Sequence, residues 1–371
     1  FTPQTTHPRQ VIDYYTDDPE HLIAFTERRN GHRVTREPVG VVGIITPWNM
    51  PQKTILMKLI PALVAGCTTV VKPAPATPLD ALALADLIHR IGLPDGVVNV
   101  TPAANPTTAQ HLAEHDDIDK IAFTGSTRIG AIIGAACGRT MRRCSLELGG
   151  KSAMVLMPDA PIDKAAATFA DQCIANNGQL CSNLTRILVH RSRHTELVDA
   201  LTHQLDALTV GDPTDPATDV GPLASHRQLT TALAHMRQAA ANGARIIRGG
   251  THLADRPGYY FNPALIDDTA PDNPAFTTEI FAPAVTITRY TTDAQAIRLA
   301  NTGPYGLDGA VWSDDPARAA QTAAAIRTGT IRINGAPTGI DAPLGGFKRS
   351  GVGRELGPEG LAAFTETKVT A

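Results

Sequence analysis

From residue 38 onward, short apolar runs alternate with longer amphipathic stretches. The runs at 39–45, 68–71, 97–100 and 120–123 predict strands, and helical spacing at 51–65, 78–91, 107–115 and 128–136 predicts helices between them. Gly66 stops the first of these helices. Such alternation predicts a parallel sheet with helices on both faces. The strands are unbroken apolar runs, as burial on both faces demands. A second alternation starts after Gly150, with strands at 153–156, 185–190, 245–248, 284–290, 307–311 and 330–334. Helices are predicted at 162–177, 194–208 and 225–241, the last with Ser225 as its cap, and another opens at Asp314-Asp315-Pro316. Residues 211–221 and the glycine-rich 335–360 read as loops.

Before residue 38 the chain is polar. Residues 11–15 read as the end of a helix. Residues 25–37 read as a charged hairpin turning at Asn30-Gly31, a pair suited to a type I′ turn. Charge of this kind blunts an exposed edge or prepares it for a partner subunit. Residues 367–371 read as a last strand.

Composition adds limits rather than a function. The chain has 371 residues, 43% hydrophobic and 19% charged, enough for more than one domain. A net charge of −3 gives no electrostatic case for nucleic acid or an anionic membrane. No apolar run reaches the ~20 residues that span a bilayer, and the first residues carry no export-signal pattern. The five cysteines (Cys67, Cys137, Cys144, Cys173 and Cys181) include no CxxC pair. A reduced, cytoplasmic protein without disulfides or a metal site is expected.

Two residues stand out chemically. A cysteine is most often a small buried hydrophobe, and Cys67 and Cys173 lie in apolar runs that suit that role. Cys181 instead lies in Asn177-Gly178-Gln179-Leu180-Cys181-Ser182, a small, polar, loop-like setting, and is a candidate nucleophile. Only the thiolate attacks, so its site must supply a base, a helix dipole or a cation. Glu147, between Leu146 and Leu148, ends an apolar strand ahead of Gly149-Gly150. A carboxylate there is either capped and paired, or a general base.

Other motifs are weaker. Gly149-Gly150-Lys151-Ser152 lacks the earlier glycine of a phosphate-binding P-loop, since position 145 is Ser. Phe123-Thr124-Gly125-Ser126 follows a strand and opens a helix, a turn able to hold a phosphate, without the GxGxxG spacing. Lys72 ends a short strand at the edge where open α/β sheets bind ligands, or is simply solvated. Asn49, in Pro47-Trp48-Asn49, can offer its amide to an oxyanion or cap the next helix.

Taken together, these stretches resemble the NAD(P)-dependent aldehyde dehydrogenase superfamily. They are joined by Val71-Lys72-Pro73, Glu279-Ile280-Phe281, Asn334-Gly335 and Gly345-Gly346-Phe347-Lys348-Arg349-Ser350-Gly351, in order over most of the chain. The resemblance implies an α/β fold in three parts. These are a Rossmann-like parallel-sheet cofactor domain (1–19 and 39–148, N-terminally incomplete), an α/β catalytic domain (149–363) and a small β oligomerisation element (20–38 and 364–371). It implies that Cys181 attacks the aldehyde, that Asn49 and the Cys181 backbone NH hold the oxyanion, and that Glu147 activates water against the resulting thioester. Lys58 and Glu355 resemble a proton-relay pair. The cofactor would meet Ile45, Thr46, Pro47, Trp48, Lys72, Pro75, Phe123, Thr124, Gly125, Ser126, Ile129, Leu148, Glu279 and Phe281.

The cofactor implied is NAD or NADP, with NAD slightly favoured. Pro75 stands where NAD-preferring relatives carry a carboxylate. The turn Thr101-Pro102-Ala103-Ala104-Asn105-Pro106 replaces a glycine-containing one, and Ala282 and Leu344 replace residues that are often Gly and Phe. Members usually have a substantial N-terminal block ahead of the point where this chain begins. Met50 and Met57 fall where the family's aldehyde channel is lined, implying an apolar wall. A small-molecule aldehyde and a homodimer or homotetramer are the expected partners. Two alternatives stay open: a truncated relative kept as a binding or structural protein, and acyl transfer to coenzyme A, which Glu147 disfavours.

Overall fold

Val41–Ile45, the first buried run, becomes an inner strand because both its faces are covered. In the computed structural model, which describes residues 4–371, it is β3, after β1 (Thr26–Arg29) and β2 (His32–Pro38). It is followed by β4 (Thr68–Lys72), β5 (Val98–Val100), β6 (Lys120–Thr124) and β7 (Arg143–Glu147). Strands β7-β6-β3-β4-β5 pair in parallel in that order, with the short Gly351–Val352 strand antiparallel on β7. The pleat divides β3 and β6 between two cores. Val42, Ile44 and Ala122 join Ile55 and Leu59 of helix Pro51–Val64, while Ile45, Ile121 and Phe123 join Ile133 of helix Thr127–Arg139. Gly66, at φ 88°, ends the first helix where expected.

The charged hairpin is present. Asn30 and Gly31 have φ of 46° and 89°, the left-handed pair that a type I′ turn requires. Thr365–Thr370 adds antiparallel to β2, closing a three-stranded sheet. The first helix runs Thr6–Thr16, longer than the 11–15 end read from sequence. Thr5 makes no side-chain cap and the first turn has no acidic residue, so its start carries no sequence mark. Residues 1–3, expected to open the cofactor domain, lie outside the described residues. This first unit comprises Phe1–Leu148, Thr338–Gly345 and Gly351–Ala371.

The second unit comprises Gly149–Pro337 and Gly346–Ser350. Its strands are β8 (Ala153–Leu156), β9 (Arg186–His190), β10 (Arg245–Arg248), β11 (Ala264–Asp267), β12 (Ala284–Tyr290), β13 (Gly309–Trp312) and β14 (Arg332–Ile333). They form one sheet in the order β10-β11-β12-β9-β8-β13-β14, parallel except for β10 on β11. Four elements depart from the sequence reading. The helix expected over 162–177 breaks into Ile162–Ala167 and Phe169–Gln172. The Thr168 hydroxyl donates to Ala165 O at 2.8 Å, and Asn176 and Asn177 turn left-handed at φ 53° and 56°. Strand β11 and helix Asp293–Asn301 were not expected from the periodicity. Helix Gly357–Ala362 lies inside the stretch read as loop, because two glycines and a proline mask its pattern.

Arg186, at the head of β9, ties this sheet to that unexpected helix. Its guanidinium is buried and donates to Leu299 O, Ala300 O and Thr302 O at 2.9, 2.8 and 3.0 Å. It also lies 4.6 Å from the Phe276 ring centre. Burial lowers its pKa to about 10, so it remains charged at neutral pH. Arg186→Met leaves these carbonyls without a donor, at a cost of about 3 kcal/mol. The thermal midpoint is expected to fall by roughly 6 °C or more. A midpoint unchanged from wild type would contradict this account.

Candidate active site

Four strands of the first unit end side by side. Ile45 of β3 is in register with Lys72 of β4 on one side and Phe123 of β6 on the other, and Thr124 is in register with Glu147 of β7. This row is the carboxyl edge of a parallel sheet, where open α/β sheets take ligands. Thr46-Pro47-Trp48-Asn49 leaves the edge after β3, with Thr46 N donating to Lys72 O at 3.3 Å. The Thr46 hydroxyl is buried without a hydrogen-bond partner.

Gly125 N donates to Glu147 O at 3.0 Å, and a Cβ on Gly125 would lie 2.5 Å from the Phe123 ring. Glycine is therefore needed for the turn to fold onto the edge. Ser126 caps helix Thr127–Arg139, accepting from Ile129 N at 3.5 Å, so the helix's positive end points out of this turn. Ile129 is half-buried in the first turn of that helix, and Gly130 packs so closely on Leu148 that a Cβ would meet it at 2.3 Å. Pro75 is exposed, three residues beyond Lys72. Beside Lys72 lies an apolar cavity of about 380 Å³, lined also by Val70, Thr101 and Ile118.

Glu147 is 5% exposed, and its Oε1 has no hydrogen-bond partner. Burial lifts its pKa well above the carboxylate range and the Glu355 charge adds to this, while Lys58 and Arg354 oppose it. Lys58 is fully buried, with Nζ 2.7 Å from Glu355 Oε1 and 2.5 Å from Thr124 Oγ1. The structure thus brings Glu147, Lys58 and Glu355 into one buried charged cluster. A carboxyl raised in this way serves as a base nearer neutral pH than an ordinary glutamate does. Met57 packs into the first unit's core, and Met50 is 4% exposed.

In the second unit, Cys181 is half-buried on a loop pinned from several sides. Gly178 N donates to Ile174 O at 2.8 Å. Gly178 has φ 71°, and a Cβ there would meet the Ala282 backbone at 2.1 Å. The Asn177 amide donates to Pro222 O at 3.1 Å, Gln179 Oε1 accepts from Ala224 N at 3.1 Å, and the Asn183 amide donates to Ala175 O at 3.0 Å.

Glu279 is half-buried, and its Oε1 accepts from Gly150 N at 3.0 Å. Burial pushes its pKa to about 7, against the Gly150 NH and Lys151. Lys151 is itself wholly buried and pulled down to about 7, by burial first and then by Arg186. Phe281 holds a left-handed φ of 57°, a strained setting for an aromatic residue.

The pair Gly149-Gly150 joins these features, a role that sequence reading missed. A Cβ on Gly149 would lie 2.3 Å from Glu279 Oε2, and one on Gly150 would lie 2.5 Å from Cys181 O. Adjacent glycines after a strand were the visible signal. Gly150→Ala is expected to displace the Cys181 loop and lower kcat by about a hundredfold, since a shift near 1 Å has that effect. Circular dichroism should show the fold intact. Wild-type kcat in this variant would contradict the contact.

The Aldehyde dehydrogenase family model matches residues 5–370. Geranial dehydrogenase of Castellaniella defragrans is 40% identical over 362 residues, covering 96% of this chain and 75% of the relative's length. Aminoaldehyde dehydrogenase 2, peroxisomal, of Pisum sativum is 38% identical over 96% of this chain and 73% of its own. A Mycobacterium tuberculosis aldehyde dehydrogenase complexed with NAD+ superposes with a TM-score of 0.96 at 39% identity, covering 99% of this chain and 77% of that one. An aldehyde dehydrogenase C mutant from Pseudomonas syringae, complexed with NAD+ and octanal, gives 0.95 at 35% identity over 99% and 76%.

Proposed function

Since this chain belongs to the aldehyde dehydrogenase family, NAD(P)-dependent oxidoreductases acting on the aldehyde group, we propose that Cys181 is its nucleophile and Glu147 its hydrolytic base. The chain's own residues fit a dinucleotide. The Ser126-capped helix start suits a pyrophosphate, Lys72 and the unpaired Thr46 hydroxyl can meet a ribose, and the Glu279 carboxylate can meet a second ribose. Ile45, Pro47, Trp48, Phe123, Thr124, Gly125, Ile129, Leu148 and Phe281 would complete the contacts. The chemistry supplied by the bound group is hydride acceptance, which leaves Cys181 carrying a thioester.

The remaining chemistry belongs to the protein. The Cys181 thiolate adds to the aldehyde carbon, and the Asn49 amide and Cys181 NH hold the oxyanion. Glu147 takes a proton from water as its oxygen attacks the thioester, releasing the acid and restoring the thiolate. Lys58 and Glu355 pass that proton onward through their 2.7 Å contact. The reading requires Glu147 and Cys181 to act on one carbon. The observation that carries it is the buried Glu147 carboxyl at the ligand edge, with an oxygen left unbonded inside the protein. Burying such a group costs free energy that packing alone does not require.

NAD+ is the expected cofactor, as it is the one bound in the similar M. tuberculosis and P. syringae structures. Exposed Pro75 carries no charge to repel a 2′-phosphate, so NADP+ competes. The edge strand Thr365–Thr370, with Val369 61% exposed, supports assembly as a dimer or tetramer. An aldehyde panel with NAD+, NADP+ and coenzyme A, followed by absorbance of the reduced nicotinamide, tests the reading. Aldehyde-dependent reduction without coenzyme A supports it. A strict coenzyme A requirement overturns the hydrolytic role of Glu147.

A further inference from the structure

The first unit holds a second group of ionisable side chains, at the amino ends of its strands and away from the ligand edge. Cys137 lies in the last turn of helix Thr127–Arg139, and Cys144 is the second residue of β7. The turn between them folds back tightly, with Thr140 N and Arg142 N both donating to Cys137 O, at 3.2 and 2.9 Å. Cys137 belongs to an apolar cluster with Ile133 and Leu146, and Cys144 packs against that cluster. Cys144 is half-buried and lines a polar cavity of about 460 Å³ with Lys120, Arg143, Ser145 and Glu366. Cys137 is 1% exposed. Lys120 is buried, donates to Ser145 Oγ at 2.8 Å and lies 5.2 Å from the Phe364 ring centre.

We propose that Cys144 and Cys137 form a peroxide-responsive disulfide site, in which Cys144 reacts first from the cavity and Cys137 resolves it. Accessibility and proximity support this order: Cys144 lines the cavity that admits the oxidant, and Cys137 lies one tight turn away in the cluster that Cys144 packs against. The neighbouring Cys137 thiol draws the Cys144 thiol down to about 7 against burial, with Lys120 helping, whereas Cys137 is raised. In the first step the Cys144 thiolate attacks the O–O bond of a hydroperoxide. An S–O bond forms, and the departing oxygen leaves as water or alcohol after taking a proton. In the second step Cys137 gives up its proton and attacks that sulfur, forming the S–S bond and expelling hydroxide, which departs as water. Two electrons pass from the thiols to the peroxide. This proposal does not depend on the roles given to Cys181 and Glu147.

The test uses the full chain with Cys181→Ser, so that this thiol does not compete, treated with hydrogen peroxide. Trypsin cleaves after Arg128, Arg139, Arg143 and Lys151, placing the two cysteines on separate peptides, 129–139 and 144–151. The expected product is a dithiothreitol-reversible link between those peptides, forming at least ~10-fold faster than any adduct on Cys67 or Cys173. In a Cys137→Ala variant, Cys144 should be captured by dimedone as the sulfenic acid. Oxidation of Cys144 no faster than Cys67, or oxidation without the 137–144 link, overturns the proposal.

Discussion

Cys181→Ala is expected to lower aldehyde-dependent reduction of NAD(P)+ by at least about a thousandfold. The remaining thiols offer no substitute. Cys67, Cys137 and Cys173 are buried, and Cys144 opens at the opposite edge of its sheet from the ligand row. Asn177, Gln179 and Asn183 hold residues 177–183 through their own side chains. The Cys181→Ala fold should melt cooperatively, with a stability loss of at most about 1 kcal/mol. Dinucleotide affinity should be retained, which separates a lost nucleophile from a lost site. Turnover at the wild-type rate would end the assignment.

Glu147→Gln is expected to give a burst of reduced cofactor followed by a stall, with steady-state turnover lowered by about 10² to 10⁴. Glutamine keeps the shape but cannot take a proton from water, so the thioester persists. The wild-type rate should fall on acidification through the raised Glu147 pKa, because only the carboxylate is a base, and the variant should lack that limb. Stability gives an independent check with the opposite sense. A carboxyl whose folded pKa is raised holds its proton longer folded than unfolded. Stability is then lost as pH rises from the ordinary glutamate range through the raised value. Glu147→Gln removes that loss, so at pH 8 it should melt above wild type. A burst-free variant, or an unchanged pH profile, would contradict the role.

Much of the first unit's ligand edge is legible in the sequence. The strand ends that bring Ile45, Lys72, Thr124 and Glu147 into one row follow from buried apolar runs, whose ends a sequence marks sharply. The Asn30-Gly31 turn was legible for the same reason: its chemistry is local. What was hidden depends on distant partners. The break at Thr168 rests on a side-chain bond that any threonine can make or omit. Helix Gly357–Ala362 forms despite its glycines and proline because Leu361 packs into the first unit's core and Tyr15 donates to Gly357 O at 3.0 Å. Helix Asp293–Asn301 did carry a signal, the Thr292 cap with Gln295 after it, and only its short length obscured it. Glu147 in the first unit and Cys181 in the second were each marked by being out of place in their sequence surroundings. The service of Gly149-Gly150 to both Glu279 and the Cys181 loop was not, because close approach between remote segments leaves no periodic trace.

The most direct measurement is the mass of the protein trapped in mid-reaction. Glu147→Gln is mixed with NAD+ and an aldehyde that the wild-type protein oxidises, quenched in acid and digested. Close to one acyl group per chain is predicted, carried on the peptide containing Cys181 and removed by hydroxylamine. Reduced cofactor accumulating with no acyl group on that peptide, or with the acyl group on another residue, would contradict it.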